Sequence, residues 1–214
     1  LIPHGSRKYS LRELNFTANP GDVIGIIGPM ASGKSTLARA LCGVLRPAQG
    51  TFCIGGLAAN QFNTDEVGKF IGYLPQEIKF LWGSIGENIA RFSSDATSEW
   101  LTKAARQVDA EKFITELPEG YETDLARSHQ ILSGGQKQKI ALARACYHDP
   151  SILVLDEPDT NLDDAGIRNL ISIIVSARKE KKIVFLVSHR QTTIDQCNLL
   201  IYLNQGVMRG FGPK

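Results

Sequence analysis

Ile24-Gly25-Ile26-Ile27-Gly28-Pro29-Met30-Ala31-Ser32-Gly33-Lys34-Ser35-Thr36 decides the fold: a short apolar β-type run stops at glycine, and a helical composition resumes after the lysine. The eight residues from Gly28 to Ser35 fit GxxxxGK[ST] in the strand–loop–helix context that this pattern requires. The glycines let the main chain turn its N–H groups inward around phosphate oxygens, and the following helix offers its positive end to the same anion. Lys34 has the reach for β- and γ-phosphates, Ser35 carries the hydroxyl expected on Mg²⁺, and Thr36 stands on the α-phosphate side. At average composition, chance yields this pattern in about 1% of chains of this length.

Downstream, Ile152-Leu153-Val154-Leu155-Asp156-Glu157-Pro158 is an apolar strand that delivers two carboxylates at its C-terminal end, where ligands of parallel α/β sheets collect. Asp156 suits a metal, directly or through water, and Glu157 suits the water that attacks a γ-phosphate. Alone, such a pair is most often a solvated turn; the glycine loop reverses that. Leu132-Ser133-Gly134-Gly135-Gln136 precedes a helical pattern over residues 137–147 and reads as a second anion site, although Ser-Gly-Gly alone would be explained by helix capping.

Around these motifs, β-type runs cover residues 11–16, 23–27, 51–54, 70–74 and 183–187, and residues 199–203 with 206–211 suggest a hairpin. Helical patterns cover residues 35–45, 98–108, 134–147 and 165–181, and the texture of residues 82–148 suggests a helical insertion. The 214 residues are 43% apolar and 21% charged, which excludes a disordered chain and leaves room for a full core without disulfides. The four cysteines lie far apart with no CxxC pair, so reduced thiols are expected rather than a zinc site. A net charge of +2 does not point to nucleic acid, and no apolar run approaches the roughly 20 residues of a membrane span. The chain opens at Leu1 without methionine or leader and stops at Gly212-Pro213-Lys214, which reads as a piece cut from something longer.

Taken together the motifs resemble the nucleotide-binding domain of ABC transporters, over essentially the whole chain. Residues 28–36 look like Walker A, Gln76 the Q-loop glutamine, residues 132–136 the signature, residues 152–157 Walker B, Asn161-Leu162-Asp163 the D-loop and His189 the switch histidine. The resemblance implies a P-loop NTPase of the α/β class, with a RecA-like core at about 1–81 and 149–214, an antiparallel β subdomain and an inserted α-helical subdomain at about 82–148. It implies that ATP and Mg²⁺ are bound. Gly28, Pro29, Ala31, Ser32, Gly33, Lys34, Ser35, Thr36 and Gln76 would hold the nucleotide, and Ser35, Gln76 and Asp156 the metal, with Glu157, His189, Gln76 and Lys34 catalytic. Ser133, Gly134, Gly135 and Gln136 would complete the site of a second copy packed head to tail, and Asp163 would help join the two sites.

The wording Gly72-Tyr73-Leu74-Pro75-Gln76, then Gly83-Ser84-Ile85 and Glu87-Asn88-Ile89, is similar to exporters, and within them to bacterial type I secretion ATPases of the protease, lipase and haemophore branch. That implies a transmembrane domain ahead of residue 1, a periplasmic adaptor, an outer-membrane channel, a protein substrate and a place on the cytoplasmic face of the inner membrane. A soluble ABC-type ATPase acting on nucleic acid or ribosomes, or an exporter of a lipid or small molecule, is the alternative. Three departures stand out. Ile2 and Pro3 replace the aromatic that stacks on adenine in many exporters, with Tyr9 nearby but misplaced. Residues 126–130 lack the usual Gly-Glu loop, leaving Arg127 or His129 as substitutes. Lys137 and Lys139 stand where arginines are common, keeping charge but losing planar pairing.

Overall fold

In the computed structural model, residues 11–62, 64–125 and 132–214 are described. Their centre is a six-stranded sheet of β1 (Val23–Ile27), β4 (Ile71–Leu74), β5 (Ile152–Asp156), β6 (Ile183–Val187), β7 (Leu199–Asn204) and β8 (Val207–Pro213). The order is β4-β5-β6-β1-β7-β8, parallel throughout except for β8, which runs antiparallel to β7. The short β2 (Cys53–Ile54) and β3 (Leu57–Ala58) form a separate antiparallel pair.

The strands read as unbroken apolar runs because both faces of the sheet are covered. Leu153 and Leu155 of β5, with Val184 and Leu186 of β6, pack in a core with α6 (Gly134–Cys146) and α7 (Asp164–Lys179). Val154, Phe185 and Val187 join Ile24 and Ile26 in a second core closed by Leu37, Ala38 and Leu41 of α1 (Lys34–Leu41). Each such buried aliphatic or aromatic side chain is worth about 1.5–3 kcal/mol relative to exposure.

Among the described residues between the neighbouring strands β4 and β5 the regular elements are all helical: α3 (Ile85–Ile89), α4 (Ser98–Gln107), α5 (Glu111–Glu116), a 3₁₀ turn over Gly120–Glu122, and α6. The remaining helices are α2 (Thr64–Phe70), a 3₁₀ turn over Ala59–Gln61, and α8 (Gln191–Ile194). No helix of the described residues is long and apolar enough to cross a membrane.

Some expected elements are shorter or absent. Residues 11–16 make no strand: Arg12 forms one bridge to Val207, and Glu13, with φ 59°, leaves the extended region at once. Helix α1 ends at Leu41, because Gly43, with φ 73°, turns the chain that propensity would have carried to residue 45. The strand expected over residues 51–54 has only the two residues of β2. The C-terminal hairpin is present, with its register shifted between Tyr202 and Leu203. All four cysteines are free thiols.

Candidate functional site

The strand order does the assembling. β4, β5, β6 and β1 are adjacent and parallel, so their C-terminal ends open side by side onto Gln76, Glu157, His189 and the glycine loop. Asp156 pairs with Val187 and Leu74 with Leu155 in the ladders, which brings residues 31 and 81 positions apart into one row.

The loop from Gly28 to Gly33 wraps the start of α1. Gly28 has φ 152°, and a Cβ there would lie 2.0 Å from the carbonyl oxygen of Leu203, so no other residue fits against the β7–β8 turn. That turn holds the loop from behind through the Gly206 amide, which donates to the Ser32 carbonyl at 3.0 Å. Gly33 stands in the left-handed region with φ 101° and supplies no side-chain cap. The amides of Lys34, Ser35 and Thr36 therefore have no intrahelical acceptor. Lys34 is buried, and its ammonium donates to the carbonyls of Gly28 at 2.9 Å and Pro29 at 3.0 Å, which holds the cation over the mouth of the loop with one N–H to spare. Ser32 Oγ is buried with no hydrogen-bond partner.

Beside the loop, the Ser35 hydroxyl donates to Gln76 Oε1 at 3.4 Å. Asp156 is 1% exposed, and neither of its carboxylate oxygens accepts a hydrogen bond. Burial raises its pKa above the ordinary 3.8; the nearby Ser35 hydroxyl offsets part of this and the Glu157 carboxylate adds to it. An ionised carboxylate without a partner costs stability unless a cation completes it. Among the described residues no three His, Cys, Asp or Glu side chains cluster as a ready-made metal cage. One carboxylate and one hydroxyl beside a phosphate loop nevertheless fit Mg²⁺, which takes most of its ligands from phosphates and water.

Glu157 has φ 53°, a left-handed conformation costly for a residue with a side chain. It persists because its amide donates to Val187 at 2.9 Å and the buried Gln138 amide of α6 donates to the next carbonyl, that of Pro158, at 2.9 Å. The Glu157 carboxylate reaches to 3.9 Å from His189 Nε2, and both line an open cleft of about 310 Å³ with Asp159, Thr160 and Arg190. Ser188 bonds to Asp159 and its hydroxyl accepts from the Arg190 amide, which fixes the turn carrying His189. A larger groove of about 830 Å³ between α4 and α7 shares none of these residues.

Ser133, Gly134 and Gly135 lie at the start of α6. Ser133 caps it, with Oγ accepting from the Gln136 amide at 3.2 Å while Gln136 Oε1 accepts from the Ser133 amide at 2.9 Å. Both glycines face Asn161, and a Cβ on Gly135 would lie 3.0 Å from its carbonyl oxygen. Asp163 caps α7 by accepting from the Gly166 amide at 2.8 Å.

The sequence profile of the family described as ABC transporter matches residues 11–160. The chain belongs to that family. Over 212 residues it is 42% identical to the type I secretion system ATP-binding protein PrsD of Rhizobium meliloti (strain 1021), which covers 99% of the chain and 36% of that protein. It is 33% identical over 198 residues to a multidrug efflux ATP-binding/permease protein of Mycobacterium bovis, covering 89% of the chain and 17% of that protein. A solved structure of a bacterial Atm1-family ABC exporter with ATP bound superimposes with a TM-score of 0.87 at 28% identity, over 99% of this chain and 37% of that one. The chain thus spans little more than a third, or less, of each of these proteins. It is an ABC ATPase domain of exporter type.

Within this ABC domain the structure gathers the glycine loop, Gln76, Asp156, Glu157 and His189 at one sheet edge. Gln138, Asp159 and Ser188, which no motif singled out, support that row. The sequence signal for Gln138 was a polar residue on the buried face of an otherwise apolar helix. Lys139 bonds the side chain of Asp109 at 2.8 Å and its carbonyl at 3.0 Å, so the lysine has taken up a partner that needs no planar fork. Ile2, Pro3, Tyr9, Arg127 and His129 lie outside the described residues.

Proposed function

We propose that this domain hydrolyses ATP to power a bacterial type I secretion exporter. The observation that carries the hydrolytic part is the row at the sheet edge: an anion-binding loop with free amides, a buried unpartnered carboxylate, and a second carboxylate beside a histidine in an open cleft. Gly28, Pro29, Ala31, Ser32 and Gly33 shape the loop, and the amides up to Thr36 with the Lys34 ammonium bind the β- and γ-phosphates. Ser35 and Asp156, with Gln76 beside Ser35, would hold Mg²⁺. When bound, Mg²⁺ offsets charge on the β- and γ-phosphate oxygens. Glu157 accepts the proton of the attacking water, and His189 orients that water and the γ-phosphate.

A second copy packed head to tail would bring Ser133, Gly134, Gly135 and Gln136 to the γ-phosphate, adding donors where charge develops, with Asp163 near the junction. The core would comprise about 1–81 and 149–214, and the helical subdomain about 82–148. The identity to PrsD favours type I secretion, with a transmembrane domain on the same polypeptide, a periplasmic adaptor, an outer-membrane channel and a protein substrate. The site would then work at the cytoplasmic face of the inner membrane. The likeness to a multidrug efflux protein keeps export of a small molecule as the second reading. Replacing Glu157 by Gln in the full-length protein is expected to lower ATPase turnover by about 100-fold or more while ATP still binds and ATP-dependent dimers persist or increase. Turnover like the unmodified protein's would sink the role of Glu157.

A further inference from the structure

We propose that Arg91 is a positioning residue for ATP hydrolysis: it clamps the C-terminal turn of α6 to the sheet, so that the opposite end of α6 presents Ser133 and Gly135 in register. Arg91 follows α3, and its guanidinium makes five hydrogen bonds among the described residues, all to main-chain carbonyls. Nε donates to Arg144 at 2.9 Å, and the terminal nitrogens donate to Gly68 at 2.5 Å, Ala145 at 3.1 Å, Ile71 at 3.3 Å and Tyr147 at 3.5 Å. These carbonyls belong to the last turns of α2 and α6 and to the first residue of β4. One cation thereby satisfies orphan acceptors at two negative helix ends and ties both to a core strand.

Three observations make this a joint rather than ordinary capping. Arg91 and Phe92 both stand at φ 57°, two successive left-handed residues that the chain adopts only under constraint. Gly72 of β4 lies so close to α6 that a Cβ would fall 1.9 Å from the Ala145 carbonyl oxygen, so helix and strand touch backbone to backbone where Arg91 binds. From the same turn of α6, the Arg144 guanidinium donates to the Lys79 carbonyl at 2.9 Å and lies 5.4 Å over the Phe80 ring, in the segment that follows Gln76. Burial lowers the pKa of both arginines below the ordinary guanidinium value, a sign that these charges were taken out of water without a carboxylate leading the compensation.

The mechanical consequence follows from length. Helix α6 has 13 residues and so extends about 20 Å from the clamp to Ser133. A tilt of about 3° at the clamp displaces the far end by about 1 Å, a misplacement large enough to cost up to about 100-fold in rate. The inference rests on the reading that this end of α6 completes a partner's ATP site; ATP binding to the glycine loop, which β1 and α1 carry, does not involve Arg91.

The test uses the full-length protein with Arg91→Met and Arg91→Lys, measuring kcat, KM for MgATP, and the number of ATP molecules bound per chain. Arg91→Met is expected to bind one ATP with affinity within about twofold of normal while kcat per bound ATP falls about tenfold. Arg91→Lys is expected to recover part of that loss, since an ammonium reaches some of the five carbonyls but not in a planar fork. An unchanged kcat per bound ATP, or a loss wholly accounted for by fewer binding-competent chains, overturns the inference. If Ser133→Ala leaves kcat per bound ATP unchanged, the shared-site reading itself has failed and the inference falls with it, a result distinct from an inert Arg91.

Discussion

Helix α1 begins behind Gly33 and α6 begins at Gly134 behind Ser133, and both are proposed to offer amides to an anion, yet they finish their ends in opposite ways. At α1 the preceding Gly33 supplies no cap, the first amides are left without acceptors, and stability comes from outside the helix: the Gly206 amide on Ser32 and the Lys34 ammonium on the loop's own carbonyls. At α6 the helix closes on itself, Ser133 and Gln136 exchanging two hydrogen bonds in a capping box at an exposed end. The first end keeps its donors open at the chain's own glycine loop. The second is satisfied alone, and a phosphate from elsewhere must compete with a cap worth about 1 kcal/mol. The contrast suits the proposed site divided between two copies, since an uncapped exposed helix end would lower the stability of each separate copy.

The largest test of this contrast removes the cation at α1. Lys34→Ala is expected to weaken ATP binding about 100-fold, the loss of charge-assisted hydrogen bonds together worth about 3 kcal/mol. Equilibrium binding within twofold of normal would erase the distinction between the two ends. Next comes Asp156→Asn, where stability and function should move in opposite directions. With its folded pKa raised above 3.8, Asp156 contributes stability that is present below about pH 3.8 and lost as pH rises through the folded value. At pH 7 the amide is therefore expected to stabilise the nucleotide-free domain by about 1–3 kcal/mol, a gain that shrinks on acidification, while hydrolysis is lost. Thermal unfolding across pH checks the sign, and a less stable variant at neutral pH would contradict it. The smallest effect belongs to α6: Ser133→Ala should lower the stability of the separate chain by about 1 kcal/mol. It should leave ATP affinity unchanged and reduce turnover, whereas a fall in affinity would place Ser133 in the site of its own chain.

The glycine loop and the carboxylate-bearing strand were legible because their geometry is local. A glycine loop between strand and helix, a lysine at the first position of a helix, and an apolar strand ending in acid each imply their local geometry from spacing alone. Less was legible where a neighbour decides. Residues 11–16 have β composition, but Arg12 forms a single β-bridge, to Val207, and Glu13 then turns away. The glycines of the signature could be read as donors; that Ser133 and Gln136 already occupy one another is a matter of side-chain reach.

By itself, then, the sequence determined the elements that carry anion chemistry and their order along the chain, since these depend on backbone freedom, helix ends and apolar periodicity within a few residues. Only the tertiary structure decided that Gln76, Asp156, Glu157, His189 and the glycine loop share one edge. That follows from placing β6 between β5 and β1, a choice made by burying two faces of a sheet and not by any local preference. It decided as well that Gln138 supports the loop of Glu157 and that Arg91 gathers carbonyls from three elements. Those contacts join residues separated by 19 to 56 positions, and a carbonyl's need for a donor is met by whatever side chain the fold brings within reach.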